Sequence, residues 1–289
     1  MQGYDALITA EQLHHVANEN ILILDVRHSL ADFTQGRTLY TQSHLPNAYF
    51  VDIETDLSGE KTGKNGRHPL PDFDILSEKL RQLGMNNDTQ VVAYDDTGGM
   101  MAARAWWLLR ALGHEAVAVL DGGIAAWERA GYVLTDTLPV ASQAGDFQRK
   151  PSLMRVLTAD EVLNQLDSAD QRLLDARSPE RYRGEVEPID PIAGHIPSAI
   201  NAFCSNNLQA DGRFKPATGL RAQWLELLGE EIESDMDRVV HYCGSGITAS
   251  HNLLSMHIAG FDVSLNGASL YAGSWSEWIA NTSRPREPS

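Results

Sequence analysis

The chain has 289 residues, more than one compact core usually needs, and its 43% hydrophobic and 21% charged residues are ordinary for a globular protein. Its formal net charge of −16 disfavours nucleic acid and anionic membrane surfaces as partners. The composition therefore predicts a globular protein of two domains and excludes long disorder.

Only two cysteines occur, Cys204 and Cys243, which excludes a disulfide scaffold and a four-cysteine zinc site. The first residues lack a basic segment followed by an apolar one, so we expect no secretory signal. The apolar stretches are far shorter than a membrane span. Because cysteines are so few, we expect a reducing compartment, the cytoplasm. We also expect no metal and no other cofactor.

Short apolar runs alternate with helical stretches along the first half of the chain. The run ILILDVR reads as a buried strand that ends in Asp25 and Arg27, and VVAYDD at 91–96 reads as another. A helical stretch, MAARAWWLLRALG, follows at 101–113. This alternation predicts βαβ units and hence an α/β fold, in which helices flank both faces of a mostly parallel sheet.

The second half of the chain repeats this order. Asp175, in the strand RLLDARS, recurs 150 residues after Asp25, the segment GHIPSAINAF matches SHLPNAYF, and VVHYCGSG matches VVAYDDTGG. Matched order at a nearly constant offset predicts two homologous domains. We place them at residues 1–137 and 155–289, joined by a linker at 138–154 that contains Pro, Ser and Gly.

The chemistry is expected at Cys243, which follows the strand VVHY and begins a short glycine-containing loop before a helix. Ligands of open α/β sheets bind at the carboxyl ends of strands. Backbone N–H groups and the helix N-terminus there favour a thiolate, and Gly244 and Gly246 let the loop curl around the sulfur. The alternative is a buried structural cysteine. Asp95 stands at the matching position of the first repeat, which predicts one catalytic and one architectural domain.

The motifs of the chain resemble those of tandem rhodanese-domain sulfurtransferases over nearly its whole length. They are the loop Cys-Gly-Ser-Gly-Ile-Thr-Ala, with Ile247 and Thr248, the paired Asp-x-Arg strands, the (G/S)H(I/L)P(N/S)A segments and the ending Ala-Gly-Ser-Trp-Ser-Glu-Trp. The resemblance implies two rhodanese-like domains and a ping-pong cycle. In that cycle Cys243 takes a sulfane sulfur from a small anionic donor, holds it as a persulfide, and yields it to cyanide, a thiol or a thioredoxin-like acceptor.

The two residues after the cysteine bear on the identity of the donor. The loop resembles the 3-mercaptopyruvate branch of the family, because the thiosulfate branch typically has an Arg-Lys pair where this chain has Gly244 and Ser245. Mercaptopyruvate reacts through a thiol and needs a proton relay, which the Ser245 hydroxyl would supply. The alternative for Ser245 is a loop serine that bonds its own backbone. We expect 3-mercaptopyruvate as the donor, with thiosulfate as the alternative.

The resemblance assigns Arg181, in PERYRG, to the binding of the substrate anion, for which a guanidinium group is well suited. The alternative is an ordinary salt bridge. The mercaptopyruvate branch usually has a second arginine nine residues further on, where this chain has Asp190, as the thiosulfate branch tends to. Arg183 is a candidate replacement for that second arginine.

Two residues of the first half are further candidates for proton transfer. His68, in GRHPLP, corresponds to a histidine that the family brings to the domain interface, and Glu54 stands where an acidic partner is expected. A histidine–carboxylate pair near Ser245 would move the proton of the substrate thiol. The alternative for both residues is hydrogen bonding at the interface.

Three other functions were compared with this one. A cysteine phosphatase needs an arginine six residues after the cysteine to hold phosphate, and this chain has Ala249 there. A thioredoxin-like oxidoreductase needs a second cysteine where Gly246 stands. A non-catalytic sulfur-carrier or binding module is a third possibility, which an assay for persulfide formation separates from an enzyme.

Overall fold

The computed structural model describes residues 3–16, 20–140, 143–166, 168 and 171–287. The chain divides by its packing into two compact units. The first unit consists of Met1–Gly59, Pro71–Leu153 and Gln209–Phe214, and the second of Glu60–Leu70, Met154–Leu208 and Lys215–Ser289.

Two short segments therefore pack with the unit that does not contain their neighbours in sequence. Glu60–Leu70 belongs to the second unit, and Gln209–Phe214 belongs to the first. The linker at 138–154 was predicted from the two sequence repeats. The units described here are defined by which residues pack together, so their bounds differ from those of the repeats. The segment Glu60–Leu70 matters most for function, because it contains His68.

The first unit contains, within its described residues, a parallel sheet of five strands and five helices. In chain order its elements are β1 (Leu7–Ile8), α1 (Ala10–Val16), β2 (Ile21–Asp25), α2 (Gln35–Gln42), β3 (Ala48–Phe50), α3 (Phe73–Gln82), β4 (Gln90–Tyr94), α4 (Ala102–Ala111), β5 (Val117–Leu120) and α5 (Gly123–Arg129). The strands lie in the order β1-β5-β4-β2-β3, and all neighbours are parallel.

The second unit repeats this topology in the part of the chain that is described. In chain order its α-helices and strands are β6 (Val156–Leu157), α6 (Ala159–Gln165), β7 (Arg172–Asp175), α7 (Pro179–Tyr182), β8 (Ile200–Asn201), α8 (Ala217–Leu228), β9 (Val239–Tyr242), α9 (Ile247–Ile258), β10 (Ser269–Tyr271) and α10 (Ser274–Trp278). The strand order β6-β10-β9-β7-β8 is that of the first unit, and all neighbours are again parallel.

Local sequence explains the central strands and several helix starts. The four residues of β9, VVHY, are all buried, as expected of a strand that is covered on both faces. The side chain of Asp72 caps α3 by accepting the N–H groups of Asp74 and Ile75. Thr158 and Glu161 form a capping box at the start of α6. No helix in the described ranges is both long and apolar enough to cross a bilayer.

The recurring Asp-x-Arg motif forms a buried ion pair in each unit. Nη2 of Arg27 lies 2.6 Å from Oδ2 of Asp25, and the same distance joins Arg177 to Asp175. In the first unit the Tyr94 hydroxyl donates to Asp25 at 2.6 Å. Because the unit without the cysteine has the same ion pair, this motif stabilises the ends of the strands in both repeats.

Candidate active site

Cys243 lies where β9 ends, in the loop that leads into α9. The backbone N–H groups of Gly246 and Ser245 point to its Sγ, at N–S distances of 3.1 and 3.5 Å. Gly246 has a φ of +82°, and an added Cβ would lie 2.5 Å from the carbonyl oxygen of Ala272, so the loop requires glycine there. Cys243 is buried and makes no disulfide. Two amide dipoles and the N-terminus of α9 therefore favour negative charge on this sulfur.

The start of α10 holds the other side of this loop. The Trp275 N–H donates to the carbonyl of Cys243, and the Ser276 N–H to that of Gly244, both at 3.0 Å. The Ser274 hydroxyl accepts the N–H of Cys243 at 3.1 Å. Ser274 has a φ of +54°, which only glycine adopts without strain. We did not predict this role of Ser274, and the signal for it was the Ser-Trp-Ser-Glu-Trp ending.

The loop at the matching position of the first unit already holds a negative charge. The carboxylate of Asp95 accepts four backbone N–H groups, those of Thr97, Gly99, Met101 and Ala102, at 2.7–3.0 Å. The repeat therefore forms a ring of amides that stabilises an anion at this position. In the second unit Cys243 takes the place of that carboxylate.

Ser245 and His68 form a hydrogen-bonded pair within the second unit. Oγ of Ser245 and Nδ1 of His68 are 2.7 Å apart, and the tautomer of the imidazole decides which of them donates. Both residues are buried. The structure thus brings together two of the residues for which the sequence predicted proton transfer.

Glu54 belongs to the first unit, where its Oε1 lies 3.5 Å from Nε2 of His28. Its pairing with His68 stays a prediction.

The last two residues of the predicted loop lie in the first turn of α9. Ile247 begins this helix in a buried position, and Thr248 is half-buried.

Arg181 lies beside the loop and bonds to two acids. Its Nε and Nη2 donate to Glu187 at 3.1 and 2.7 Å, and Nη2 also reaches Oδ2 of Asp190 at 3.2 Å. A Cβ added at Gly244 would lie 3.6 Å from that Nη2. The structure thus places Arg181 next to the loop of the candidate nucleophile.

Arg183 does not join this cluster. Its side chain is 44% exposed, and its guanidinium group pairs with Glu185 at 2.8 Å. Another arginine does join it, because Nη1 of Arg67 donates to Oδ1 of Asp190 at 2.5 Å. The sequence analysis missed Arg67, and its position directly before His68 was the available signal.

Burial and ion pairing act in opposite directions on the pKa values of the two acids. Burial would raise the pKa of Glu187, but hydrogen bonds from Arg181 and from the N–H of Asp190 lower it below its ordinary value. Burial raises the pKa of Asp190, against the influence of Arg67. Both acids therefore bond to arginines of the site, and only Glu187 has an environment that favours its charged form.

Two other residues with reactive side chains lie in the core instead. Burial raises the pKa of the Cys204 thiol to about 12, so this cysteine stays protonated. Burial lowers the pKa of His241 to about 3, and its Nε2 lies 3.2 Å from the sulfur of Met256. Both side chains therefore pack in the core of the second unit.

The family model for the rhodanese-like domain matches residues 9–130 and again residues 158–281. The chain belongs to the rhodanese family. A probable 3-mercaptopyruvate sulfurtransferase of Pseudomonas aeruginosa is 47% identical to it over 283 residues, which cover 96% of each chain.

Other rhodanese-family relatives carry two different names. A putative thiosulfate sulfurtransferase of Mycobacterium tuberculosis is 41% identical over 285 residues, 96% of this chain and 95% of that one. The crystal structure of SseA from Escherichia coli, described as a 3-mercaptopyruvate sulfotransferase, matches with a TM-score of 0.79 and 28% identity, over 94% of this chain and 99% of that one. The predicted family, the tandem α/β fold and the prediction of a sulfur-transferring enzyme are confirmed.

Proposed function

We propose that the protein takes sulfur from 3-mercaptopyruvate as a persulfide on Cys243 and passes it to a thiophilic acceptor. The observation that carries this proposal is the Ser245–His68 pair beside a sulfur that two backbone amides contact. A persulfide anion on Cys243 would extend into a loop whose counterpart holds the carboxylate of Asp95. The relatives named for 3-mercaptopyruvate support the same donor.

The chemistry of this donor requires a proton relay. The Cys243 thiolate attacks the donor sulfur, the bond between that sulfur and the methylene carbon breaks, and its electron pair stays on carbon. The proton of the donor thiol then ends on that carbon, so the products are pyruvate and a Cys243 persulfide anion. In this proposal Ser245 and His68 accept the thiol proton and return it, and the hydrogen bond between them supports that role.

Thiosulfate is the second candidate donor. Its outer sulfur passes to Cys243 while sulfite leaves with the electron pair of the broken sulfur–sulfur bond, and no proton moves. The arginines at the loop, Arg67 and Arg181, favour an anionic donor of either kind. The relative of Mycobacterium tuberculosis carries the thiosulfate name.

In the second half-reaction an acceptor attacks the outer sulfur and the Cys243 thiolate leaves. Cyanide then becomes thiocyanate, and a thiol or a thioredoxin-like protein becomes a persulfide. We infer that this cycle takes place in the cytoplasm, because it requires a reduced Cys243 and both cysteines are free.

Intact mass and kinetics test the proposal on the same preparation. We expect 3-mercaptopyruvate to add the mass of one sulfur atom to the wild-type protein and to the variant Cys204→Ala, but not to Cys243→Ala. We expect kcat/KM for sulfur transfer to cyanide to be higher with 3-mercaptopyruvate than with thiosulfate. A preference for thiosulfate would reverse the donor assignment, and sulfur retained by Cys243→Ala would disprove the nucleophile.

A further inference from the structure

The loop that follows α7 exposes two large apolar side chains near the candidate active site. Val186 is 52% exposed and Ile189 is 40% exposed. Between them the buried side chain of Glu187 bonds to Arg181. It also accepts the N–H groups of Ile189 and Asp190 at 3.1 and 3.0 Å. The buried acid therefore anchors the loop, while the apolar pair stays in contact with water.

The segment Glu60–Leu70 adds positive charge to the same unit. Lys61 and Lys64 are exposed, and the ammonium group of Lys64 pairs with no carboxylate of the described residues. The Asn65 side chain accepts the N–H of Thr62 at 2.9 Å and donates to the first carbonyl of the segment at 2.8 Å. These bonds close a compact turn, so the lysines are presented by a fixed backbone.

The turn and the loop meet at the residues around Cys243. The Arg67 N–H donates to Oγ of Ser276 on α10 at 2.9 Å, and its guanidinium group bonds to Asp190. A Cβ added at Gly244 would lie 2.8 Å from Nη2 of the same arginine. The exposed residues of both segments therefore border the loop that carries Cys243. We refer to them as the rim: Lys61, Lys64, Val186 and Ile189.

The charge of the rim is opposite to that of the whole protein. Because the chain has a net charge of −16, most of its surface repels a partner that carries acidic groups. The acids of the loop after α7 are bonded to arginines, and these acids are Glu185, Glu187 and Asp190. The lysines of the rim therefore steer an acidic partner to the surface beside Cys243.

The position of the nucleophile limits what such a partner can be. Cys243 is only 2% exposed, so a protein acceptor must present a thiol that projects from its own surface. Apolar surface around that thiol would cover Val186 and Ile189. Nucleic acid is disfavoured, because the net charge repels a polyanion and a phosphate backbone does not cover apolar side chains.

We propose that the rim docks the protein that accepts sulfur from Cys243, a small acidic protein with a thiol on an apolar surface. This inference rests on the proposed function, because the partner's thiolate takes the outer sulfur of the persulfide and Cys243 leaves as a thiolate. Cyanide and small thiols need no docking surface, so the rim acts only on transfer to a protein.

Single-turnover transfer from the preformed persulfide tests the rim. The loaded protein is desalted and mixed with a reduced acidic thioredoxin or with 2-mercaptoethanol, and intact mass follows the loss of one sulfur atom. We expect Lys64→Glu and the double variant Val186→Ser/Ile189→Ser each to slow transfer to thioredoxin about 10-fold. Transfer to 2-mercaptoethanol should keep the wild-type rate. Added salt should slow only the reaction with thioredoxin, and less so in Lys64→Glu.

Two residues at the amino ends of the strands, the edge of the sheet away from Cys243, provide matched controls. Leu265 is as exposed as Val186, at 52%, and precedes β10, while the exposed cation Arg238 precedes β9. Leu265→Ser and Arg238→Glu should keep the wild-type rate with both acceptors. Equal losses in these controls, equal losses with 2-mercaptoethanol, or unchanged transfer to thioredoxin in the rim variants would overturn the inference.

Binding separates the rim from the persulfide. A fluorescently labelled thioredoxin with serines in place of its reactive cysteines gives a Kd by anisotropy without turnover, and both rim variants should raise this Kd about 10-fold. Binding that depends on the rim in a protein that forms no persulfide would overturn the proposed function and leave the docking surface standing. A Kd that the rim variants leave unchanged would overturn the docking surface.

Two other occupants of the rim would also contradict the inference. A labelled RNA hairpin that binds the wild type but not Lys64→Glu, where thioredoxin does not bind, would assign the lysines to nucleic acid. A wild-type dimer in sedimentation that Val186→Ser/Ile189→Ser dissociates would assign the apolar pair to a second copy of the chain.

Discussion

Oγ of Ser245 lies 2.7 Å from Nδ1 of His68, although the two residues are 177 positions apart in the chain. Their neighbours are paired as well, because the guanidinium group of Arg67 lies against Gly244. One short segment therefore brings a cation and an imidazole to two consecutive residues after the nucleophile. The cation suits the carboxylate of a donor, and the hydroxyl–imidazole pair suits its thiol proton.

The first prediction uses the Ser245–His68 pair to distinguish 3-mercaptopyruvate from thiosulfate as the donor. Only 3-mercaptopyruvate has a thiol proton to move, so Ser245→Ala should lower kcat/KM for this donor about 100-fold or more. Turnover of thiosulfate should stay nearly unchanged, which makes it the internal control for folding and for the nucleophile. The measurement is thiocyanate formation with each donor. Equal losses with both donors would assign Ser245 to the shape of the loop rather than to proton transfer.

The second prediction uses two glycines with the same backbone conformation. Gly246 and Gly260 both have a φ of +82°, but a Cβ at Gly246 would lie 2.5 Å from the carbonyl oxygen of Ala272, whereas a Cβ at Gly260 meets nothing within 4 Å. Each alanine variant should cost about 1–2 kcal/mol of backbone strain. Gly246→Ala should in addition displace the amides from Cys243 and abolish persulfide formation, which intact mass would show. Gly260→Ala should keep full activity, and a similar loss in both variants would contradict this explanation.

The sequence predicted the parts of the site that depend on local pattern. The buried strand VVHY, the loop after it and the glycines that shape it are close in sequence, so Cys243 and Gly246 could be named as candidates from the sequence alone. The repeat comparison aligned Asp95 with the cysteine, but the four backbone N–H groups that its carboxylate accepts could be seen only in the structure.

What depends on distant packing was missed. Arg67 lies in the segment Glu60–Leu70, which packs with the second repeat although its sequence neighbours belong to the first. The spacing of apolar residues along the chain does not indicate such packing. From the sequence, Asp190 was only the residue that stands where the mercaptopyruvate branch usually has an arginine. In the structure its carboxylate accepts hydrogen bonds from Arg67 and Arg181. Arg183 was a reasonable candidate by spacing, but its side chain bonds to its neighbour Glu185.

The third prediction concerns strain at Ser274. Its φ of +54° resembles the φ of +58° at Gly123 in the first unit. The two positions are equivalent, because the N–H of the next residue donates to the carbonyl of Cys243 in one unit and of Asp95 in the other. Ser274→Ala should lose stability, because the buried N–H of Cys243 loses its acceptor at a cost of about 1–3 kcal/mol. Ser274→Gly loses the same bond but relieves about 1 kcal/mol of strain.

The glycine variant should therefore be the more stable of the two in urea denaturation, the reverse of the usual helix preference. Both variants should lower kcat/KM to a similar extent, since both free the Cys243 amide. An alanine variant as stable as the glycine variant would show that the backbone at Ser274 is not strained.

The fourth prediction concerns acid stability and His241, which lies edge-on to the ring of Trp224. Burial lowers the pKa of His241 from 6.5 to about 3, so the folded protein keeps this ring neutral while the unfolded chain takes up a proton below pH 6.5. Stability from this group is complete above pH 6.5 and falls as the pH drops toward 3, by up to about 1.4 kcal/mol per pH unit.

His241→Phe keeps a ring in the same place and removes this protonation. Its unfolding midpoint in urea should therefore fall less steeply than that of the wild type between pH 6.5 and pH 4. The midpoint of this variant should still depend on pH to some extent, because burial also lowers the pKa of His114. His15 is exposed on α1, so His15→Gln should reproduce the wild-type slope. If His241→Phe and His15→Gln show the same slope, the acid sensitivity arises from groups other than His241.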